Sequence, residues 1–439
     1  MAIRDPRPHL QPVDTAPTDD IAPRTAARDA ATSASRVTAD LVRRTMIMAL
    51  VTRLGILAVA GLSTYVLATH QAPWSLRLQR QAEPFSGAGA RFFNIWAHWD
   101  GVWYIKIASY GYAGADGTAA FFPLYPLIVR WVGVPLGNNL VAAGVLVSVV
   151  TYLVGVYLLY RLVELDFGPR IAYRTAWFLS IFPTAFFFQA VYSESLFLML
   201  STACLLWSRQ GRWRRAGLAG LLATLTRSTG FMLLVPMVIF YLEQRDWKWR
   251  RLDSDAASLL MIPEGLMVWM AYLSLGFGKP LLFASAQDNW RRVLAVPTWG
   301  LWRGILAAVQ GARQLLSGQT RHVYWPAPNS GSVMSMAGFN ITNLGFTVVA
   351  LLAIWHGLRR LPPAYSAYAI ATIGYPLLFP SRFQPLMSMP RFILAAFPIF
   401  ISLALFTDRR PRWHAAISLI FIAMLVVVTA RFAIFTWVA

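Results

Sequence analysis

The chain has 439 residues, of which 57% are hydrophobic and only 13% are charged. Soluble domains carry about 25% charged residues, so the composition excludes an ordinary soluble protein and indicates an integral membrane protein. The net charge of +20 does not indicate nucleic-acid binding, because the arginines cluster in short loops between apolar runs, a pattern typical of cytoplasmic loops. The single cysteine, Cys204, excludes an intramolecular disulfide, and the six histidines lack metal-ligand spacing, so we expect no zinc site.

The N-terminal part of the chain combines a polar tail with a first membrane span. Residues 1–40 are rich in Ala, Thr, Pro, Asp and Arg and show no apolar periodicity, which predicts a disordered cytoplasmic tail. A single membrane domain is expected over residues 41–439, and its first span lies at 45–69. Arg43 and Arg44 precede this span and therefore favour a cytoplasmic N-terminus.

The rest of the chain alternates between apolar runs and short loops. Residues 70–138 are expected to form a large extracytoplasmic loop, in which the apolar stretch 121–134 is short, interrupted by prolines and therefore re-entrant or interfacial. Residues 216–242 have basic loops on both sides and contain Arg227, which predicts a short helical hairpin. A second long outer loop is expected at 277–331. Further spans are predicted at 139–161, 171–190, 195–208, 256–276, 338–356, 364–380, 390–407 and 414–437. The fold class is thus an all-α, polytopic membrane protein with about nine spans.

Few acidic residues are expected on the outer side of this topology. Five of the nineteen are predicted there, namely Glu83, Asp100, Asp116, Glu194 and Asp288. Asp100 lies in the segment WAHWDGVWY at 96–104, where three tryptophans and a tyrosine would shield its carboxylate from water. A shielded carboxylate is a stronger general base, although a solvated aspartate beside an interfacial tryptophan belt explains the same pattern.

Other charged residues near predicted span ends are further candidates. Glu194 stands between two serines, where a carboxylate either takes part in chemistry or stabilises the start of a helix. Arg227 interrupts an apolar hairpin, and an unpaired arginine there would be costly, so a phosphate or carboxylate partner is expected. Arg391 opens an outer helix and either binds an anion or extends toward the membrane interface. The basic candidates on this side are Lys106, Arg227, Arg291, Arg292, Arg382 and Arg391.

Several motifs occur in order along residues 45–410. They are W-x-x-W-D-G-x-W-Y at 96–104, A-F-F-P-L-Y-P at 120–126, Y-S-E-S at 192–195, L-T-R-S-T-G at 225–230, Q-x-x-W at 287–290 and P-R-F-I-L at 390–394. This set resembles the PIG-V family, mannosyltransferases of the multi-spanning C-type (GT-C) glycosyltransferase superfamily. Ser228 stands where the family has a proline, a difference that we expect to matter little for the chemistry.

The resemblance implies a membrane-embedded inverting glycosyltransferase. The donor would be a polyprenyl-phosphate-linked sugar, with mannose as the expected sugar, and transfer to a lipid or glycan acceptor would occur on the extracytoplasmic face. Asp100 would act as the general base, and Glu194 is a second candidate catalytic carboxylate. Substrate binding is expected of Trp99, Lys106, Arg227, Gln287, Trp290 and Arg391. No cofactor is required, although the residues are compatible with a divalent metal beside Asp100 and Glu194.

Two other functional classes fit the same composition. A polytopic transporter would place ionisable residues in the middle of the membrane, and Glu264 is a carboxylate within a predicted span. A lipid-binding membrane protein without transferase activity is the second alternative. The Ala- and Arg-rich tail favours a multi-pass protein of a bacterial plasma membrane; in a eukaryote the resemblance implies the endoplasmic reticulum membrane.

Overall fold

The computed structural model describes residues 21–67, 82–248, 250, 252–318, 333–382, 384–436 and 438. Within these residues the secondary structure is helical, apart from one isolated antiparallel bridge between Arg292 and Ser381, so the predicted all-α class is confirmed for them. The α-helices are α1 Ile21–Val66, α2 Gly87–Phe93, α3 Asp100–Tyr110, α4 Leu124–Gly133, α5 Leu140–Ile181, α6 Glu194–Arg209, α7 Trp213–Thr226, α8 Leu234–Glu243, α9 Ala257–Phe277, α10 Leu282–Ser285, α11 Pro297–Ser317, α12 Val333–Gly357, α13 Pro363–Leu378, α14 Met389–Ala395, α15 Pro398–Thr407 and α16 Pro411–Ala433.

Five described helices are long and apolar enough to cross a membrane, judged by length and composition. They are Thr38–Val66, Leu140–Ile181, Ser254–Phe277, Ser335–Gly357 and Pro411–Ala433. A sixth is counted if α14 and α15, which meet at 84°, form one bent span. The predicted total of about nine spans is not confirmed. The predicted spans at 195–208 and 364–380 correspond to α6 and α13. Each of these helices has 16 residues, fewer than the about 20 that a bilayer crossing needs.

The predicted spans at 139–161 and 171–190 belong to one broken element, α5. Gly168 interrupts it with a φ of 80°, a conformation that glycine adopts without steric cost. Pro169 follows and has no backbone N–H to continue the helical hydrogen bonds. The apolar stretch at 121–134, in turn, forms the short helix α4, which agrees with the prediction that it does not cross the membrane.

Two segments that the sequence predicts to be irregular include helical residues. Residues 1–20 lie outside the described residues, and the prediction of a disordered tail at 1–40 stays a prediction; the described helix α1 begins at Ile21. Alanine has the highest helix propensity, and this Ala-rich segment extends the helix of the first span. The predicted loop 277–331 contains α11, which packs against α12 and α13. Glycines and arginines interrupt its apolar residues, so hydropathy alone does not reveal it.

The hairpin predicted at 216–242 is formed by α7 and α8 with a 3-10 segment, Ser228–Leu233, between them. Its two outer ends lie together, because the rings of Trp213 and Tyr241 are 5.0 Å apart. Its tip lies at the start of α6, where Arg227 contacts Glu194. The hairpin therefore begins and ends on one side of the molecule and carries Arg227 to the other.

The segment 182–193, between α5 and α6, is buried and is held by an arginine from α1. Arg53 donates hydrogen bonds to the carbonyls of Ala185 at 2.5 Å and Ser180 at 3.1 Å, and its guanidinium lies 4.3 Å from the ring centroid of Tyr152. Only 2% of Arg53 is exposed, so its guanidinium is held inside the protein. These contacts fix the segment that leads into the start of α6.

Charged contacts collect at the end of the bundle opposite Glu194. Arg209, at the far end of α6, pairs with Asp166 at 2.8 Å. Arg174 donates to the carbonyl of Thr407 at 2.7 Å, from the same end of the bundle. We call this end the basic face and the end that carries Glu194 the site face.

Candidate active site

Asp100 is the first residue of α3, and the residues on both sides fix its position. Trp99 adopts a φ of 54°, which is sparsely populated for a non-glycine residue, and its ring stacks on Phe435 with centroids 4.6 Å apart. The backbone N–H of Asp100 donates to the Tyr192 hydroxyl at 3.0 Å. That hydroxyl donates in turn to the carbonyl of His98 at 3.2 Å. The tryptophan-rich motif thus anchors the start of α3 beside the start of α6.

Two carboxylates and two guanidiniums form one charge cluster, defined by Asp100, Glu194, Arg227 and Arg391. Arg391 Nη1 donates to Asp100 Oδ2 at 2.5 Å, and Arg391 Nε donates to Glu194 Oε1. Arg227 Nη1 donates to the same glutamate oxygen at 2.5 Å. The Arg391 guanidinium carbon also lies 4.8 Å from the ring centroid of Tyr192. Residues that are far apart in the sequence therefore meet as a cluster whose formal charges balance.

The two carboxylates of the charge cluster have different environments. The side chain of Asp100 is 21% exposed and lines a cavity. That of Glu194 is 4% exposed, is absent from the described cavity lining, and its Oε2 has no hydrogen-bond partner among the described residues. Asp100 is therefore accessible to a ligand, whereas Glu194 lies beneath the cavity and holds the two arginines.

The cavity on the site face has a volume of about 350 Å³, within the range of about 300–1,000 Å³ that is typical of small-molecule sites. Among the described residues that line it, Asp100 is the only carboxylate. The lining consists of Asp100, Tyr104, Ala120, Phe121, Phe122, Thr226, Arg227, Ser228, Thr229, Phe283, Ala284, Gln287, Trp290, Arg292, Leu294, Tyr375, Phe379, Met387, Ser388, Arg391 and Phe392. Aromatic walls with a few charged and hydroxyl groups are suited to a partly polar ligand.

The structure brings most of the predicted site residues to this cavity. Those that line it are Asp100, Arg227, Gln287, Trp290 and Arg391. Glu194 lies beneath it, and Trp99 packs on Phe435 outside the lining. Lys106 is also outside the lining, because its ammonium pairs with Asp116 at 2.8 Å. Trp99, Lys106 and Glu194 thus lie outside the cavity lining.

The Lys106–Asp116 pair stabilises the loop that follows α3. The Asp116 carboxylate also accepts hydrogen bonds from the Thr118 hydroxyl at 2.6 Å and the Thr118 backbone N–H at 3.0 Å. Partial burial raises the pKa of Asp116, but these hydrogen bonds and the Lys106 charge outweigh that effect and lower the pKa below its ordinary value. Asp116 is thus a structural carboxylate that stays ionised.

Two titratable groups near Asp100 are neutral at physiological pH. Burial lowers the pKa of His98 to about 4, and its Nδ1 lies 3.1 Å from the carbonyl of Phe432. Burial and the charge of Glu194 raise the pKa of Tyr104 to about 12, and its hydroxyl lies 2.8 Å from Ser193 Oγ. Neither side chain therefore carries a charge near neutral pH.

The sequence motifs do not reveal part of the cavity wall. Ser228 Oγ and Tyr375 Oη lie 3.0 Å apart, and both residues line the cavity. Ser228 follows Arg227 in the L-T-R-S-T-G motif, so the sequence could have indicated that it lies near the cavity. Tyr375 stands in an apolar run without any motif, and no sequence pattern marks it. Arg292, one of several basic candidates in the outer loop, also lines the cavity.

The described residues contain no group of three or more His, Cys, Asp or Glu side chains arranged to hold a metal ion. Between the carboxylates of Asp100 and Glu194 lies the Arg391 guanidinium, which donates a hydrogen bond to each. A guanidinium therefore takes the position that a bridging cation would occupy.

Comparison with known proteins places the site in a family context. Residues 51–248 match the family described as mannosyltransferase (PIG-V). The GPI mannosyltransferase 2 of Drosophila pseudoobscura pseudoobscura is 30% identical over 151 residues, which are 31% of this chain and 33% of the relative. That of Drosophila melanogaster is 31% identical over 158 residues, 33% of this chain and 35% of the relative. The chain thus matches about a third of the length of these curated relatives.

Two solved structures resemble the chain more distantly. ArnT from Cupriavidus metallidurans bound to undecaprenyl phosphate is 14% identical, with a TM-score of 0.40 over 88% of this chain and 77% of that protein. The Archaeoglobus fulgidus oligosaccharyltransferase is 13% identical, with a TM-score of 0.41 over 88% of this chain and 53% of that protein. Both TM-scores are low, so the family resemblance rests on the sequence match of residues 51–248. The resemblance to the PIG-V mannosyltransferases that the motifs predict is thus confirmed for residues 51–248, the part of the chain that carries Asp100, Glu194 and Arg227.

Proposed function

We propose that the chain is a membrane-embedded inverting mannosyltransferase that uses a polyprenyl-phosphate-linked donor and a lipid or glycan acceptor. The observation that carries this proposal is the pairing, in one cavity, of an accessible carboxylate with guanidiniums. Asp100 is that carboxylate, and Arg391 contacts it at 2.5 Å. The match of residues 51–248 to the PIG-V family supports mannose as the sugar.

The proposed reaction is a single displacement at the anomeric carbon of the donor. Arg391 donates a hydrogen bond to Oδ2 of Asp100, so the other carboxylate oxygen, Oδ1, would accept the proton of the acceptor hydroxyl. The acceptor oxygen then forms a bond to the anomeric carbon on the side opposite the lipid phosphate. The bond between that carbon and the phosphate oxygen breaks, and the lipid phosphate leaves with the electron pair. One displacement inverts the anomeric configuration.

The remainder of the cavity has two roles in this reaction. The guanidiniums of Arg227 and Arg391 would stabilise negative charge on the departing phosphate. Apolar walls that include Phe121 and Trp290 would limit access of water, which would otherwise hydrolyse the donor. A lipid phosphate is a good leaving group, so no metal or other cofactor is required, and we expect transfer to persist in the presence of a chelator.

The distribution of charge supports an extracytoplasmic site. Arginines that include Arg174, near the break in α5, and Arg209, at the end of α6, lie at the basic face, and arginines that flank spans favour the cytoplasmic side. The cavity lies at the opposite, site face, where a lipid-linked donor would present its sugar outside the cytoplasm. We therefore propose a multi-pass protein with a cytoplasmic N-terminus, in a bacterial plasma membrane or, in a eukaryote, the endoplasmic reticulum.

The direct test is a transfer assay with the full chain in lipid nanodiscs. Radiolabelled polyprenyl-phosphate mannose and a membrane lipid extract as the acceptor source should yield a labelled product with inverted anomeric configuration. Asp100→Asn should lose most of this activity, and Asp116→Asn, in the same loop, should retain it. A folded wild-type protein that transfers no sugar from any polyprenyl-phosphate donor would refute the proposal and favour a transporter or lipid-binding protein.

A further inference from the structure

Within the part of the chain that the structure describes, one arginine of the cavity has no carboxylate partner. Arg227 and Arg391 are paired with Glu194 and Asp100 in the charge cluster. Arg292 also lines the cavity, but no ion pair among the described residues includes it. The cavity region thus combines three guanidiniums with two carboxylates, so one positive charge remains unmatched.

Arg292 is held by backbone pairing. It forms an antiparallel bridge with Ser381, and the N–H of the next residue, Val293, donates to the carbonyl of Pro380 at 3.1 Å. Arg292 Nη1 itself donates to the carbonyl of Phe379 at 2.9 Å. The guanidinium is therefore fixed at the cavity wall by a neutral acceptor, which leaves its other N–H donors for a ligand.

The unmatched charge is partly shielded from water. Burial lowers the pKa of Arg292 to about 10, so the side chain still carries its charge at neutral pH. Asp100 exerts an electrostatic effect on Arg292, but its Oδ2 is bonded to Arg391. A desolvated guanidinium without a carboxylate is stabilised by an anionic ligand, and its planar donors suit a phosphate.

We propose that Arg292 is the principal binding residue for the phosphate of the lipid-linked donor, an inference that rests on the proposed function and extends it. Arg227 and Arg391 are neutralised by carboxylates, and the added anion is matched best by Arg292, which has no carboxylate partner among the described residues.

The surface next to Arg292 suits the apolar chain of such a lipid. Leu294 lines the cavity and also a neighbouring groove, and it is 76% exposed. Val296 and Trp299 line the same groove and are exposed as well. Arg303 and Arg382 also line this groove, but its exposed apolar side chains next to Arg292 favour a lipid phosphate over a free phosphate ion as the ligand.

A binding experiment on the full chain in nanodiscs tests the assignment. The probes are undecaprenyl phosphate, the neutral alcohol undecaprenol and inorganic phosphate. Wild type should bind undecaprenyl phosphate most tightly. Arg292→Gln should weaken that binding by about 10- to 100-fold, the effect of losing a charged hydrogen-bond donor, and should leave undecaprenol binding unchanged. Arg313→Gln removes an equal charge from an exposed position on α11 and should change neither affinity.

The outcomes separate this inference from the proposed function. Wild-type affinity of a folded Arg292→Gln protein for undecaprenyl phosphate would overturn the role of Arg292, while sugar transfer by the wild type would still support the transferase. Equal binding of undecaprenyl phosphate and undecaprenol by wild type would overturn the lipid-phosphate donor as well. Inorganic phosphate that competes fully at equal concentration would refute the contribution of the lipid chain. If Arg292→Gln does not fold, Arg292→Lys should show weakened binding, because a lysine keeps the charge but loses the planar donor pair.

Discussion

Replacing Asp100 by asparagine should remove most of the transfer activity and leave the fold intact. Asparagine preserves the size of the side chain, and its amide oxygen can accept the hydrogen bond that Arg391 donates at 2.5 Å. Arg391 also remains paired with Glu194. The substitution therefore removes one negative charge and the proposed proton acceptor, and little else.

The expected losses in rate and in stability can be worked out separately. A general base contributes about 10²–10⁴-fold in rate, which corresponds to about 2.7–5.4 kcal/mol of activation free energy. The loss of folding free energy should be only about 1.5 kcal/mol, the value of one hydrogen bond to a charged group. It is small because the Asp100 side chain is 21% exposed and Arg391 keeps its glutamate partner.

The assay compares initial rates of mannose transfer at equal concentrations of folded protein, with the folded fraction measured by thermal unfolding. Donor affinity is measured in parallel and should change little. Asp116→Asn controls for charge loss in the same loop, because Asp116 pairs with Lys106 outside the cavity lining. Near-normal turnover by a folded Asp100→Asn protein would refute the role of Asp100 as base.

Three further predictions follow from burial, charge and topology. Glu194→Gln should lower the free energy of unfolding by about 3–5 kcal/mol, because it leaves the largely buried Arg227 without its carboxylate and removes one of the two carboxylates that Arg391 contacts; an unchanged thermal midpoint would contradict this. The pKa of Asp116 is lowered in the folded state, so its stabilising contribution is present above the unfolded pKa of about 3.9 and is lost as the pH falls through the lower folded value. The unfolding midpoint of Asp116→Asn should therefore be lower than that of the wild type at pH 6 and approach the wild-type value in strong acid. A difference that stays constant with pH would contradict a stabilising Lys106–Asp116 pair. In a Cys204→Ala background, a cysteine at Ser86 should react with an impermeant reagent in intact cells, and one at Gln210 only after permeabilisation; labelling of both in intact cells would contradict the assigned orientation.

Part of the site could be predicted from the sequence because the signals are local. A carboxylate among closely spaced tryptophans marks Asp100, and an arginine inside an apolar hairpin implies a partner, which proves to be Glu194. The signals fail where a segment lacks a long apolar run or a motif. For this reason the sequence predicts a loop where α11 lies, and it does not assign Tyr375 to the cavity, which forms only when the helices pack.

The sequence by itself determined that this chain is an all-helical membrane protein and that Asp100 is the leading candidate base, because hydropathy, charge placement and short motifs are properties of neighbouring residues. Only the tertiary structure decided how the charges are matched. Glu194 is buried beneath the cavity, Arg391 joins it to Asp100, and these contacts link residues from helices α3, α6 and α14. Whether an arginine is neutralised depends on which carboxylate lies within a few ångströms of it, and chain folding alone sets that distance.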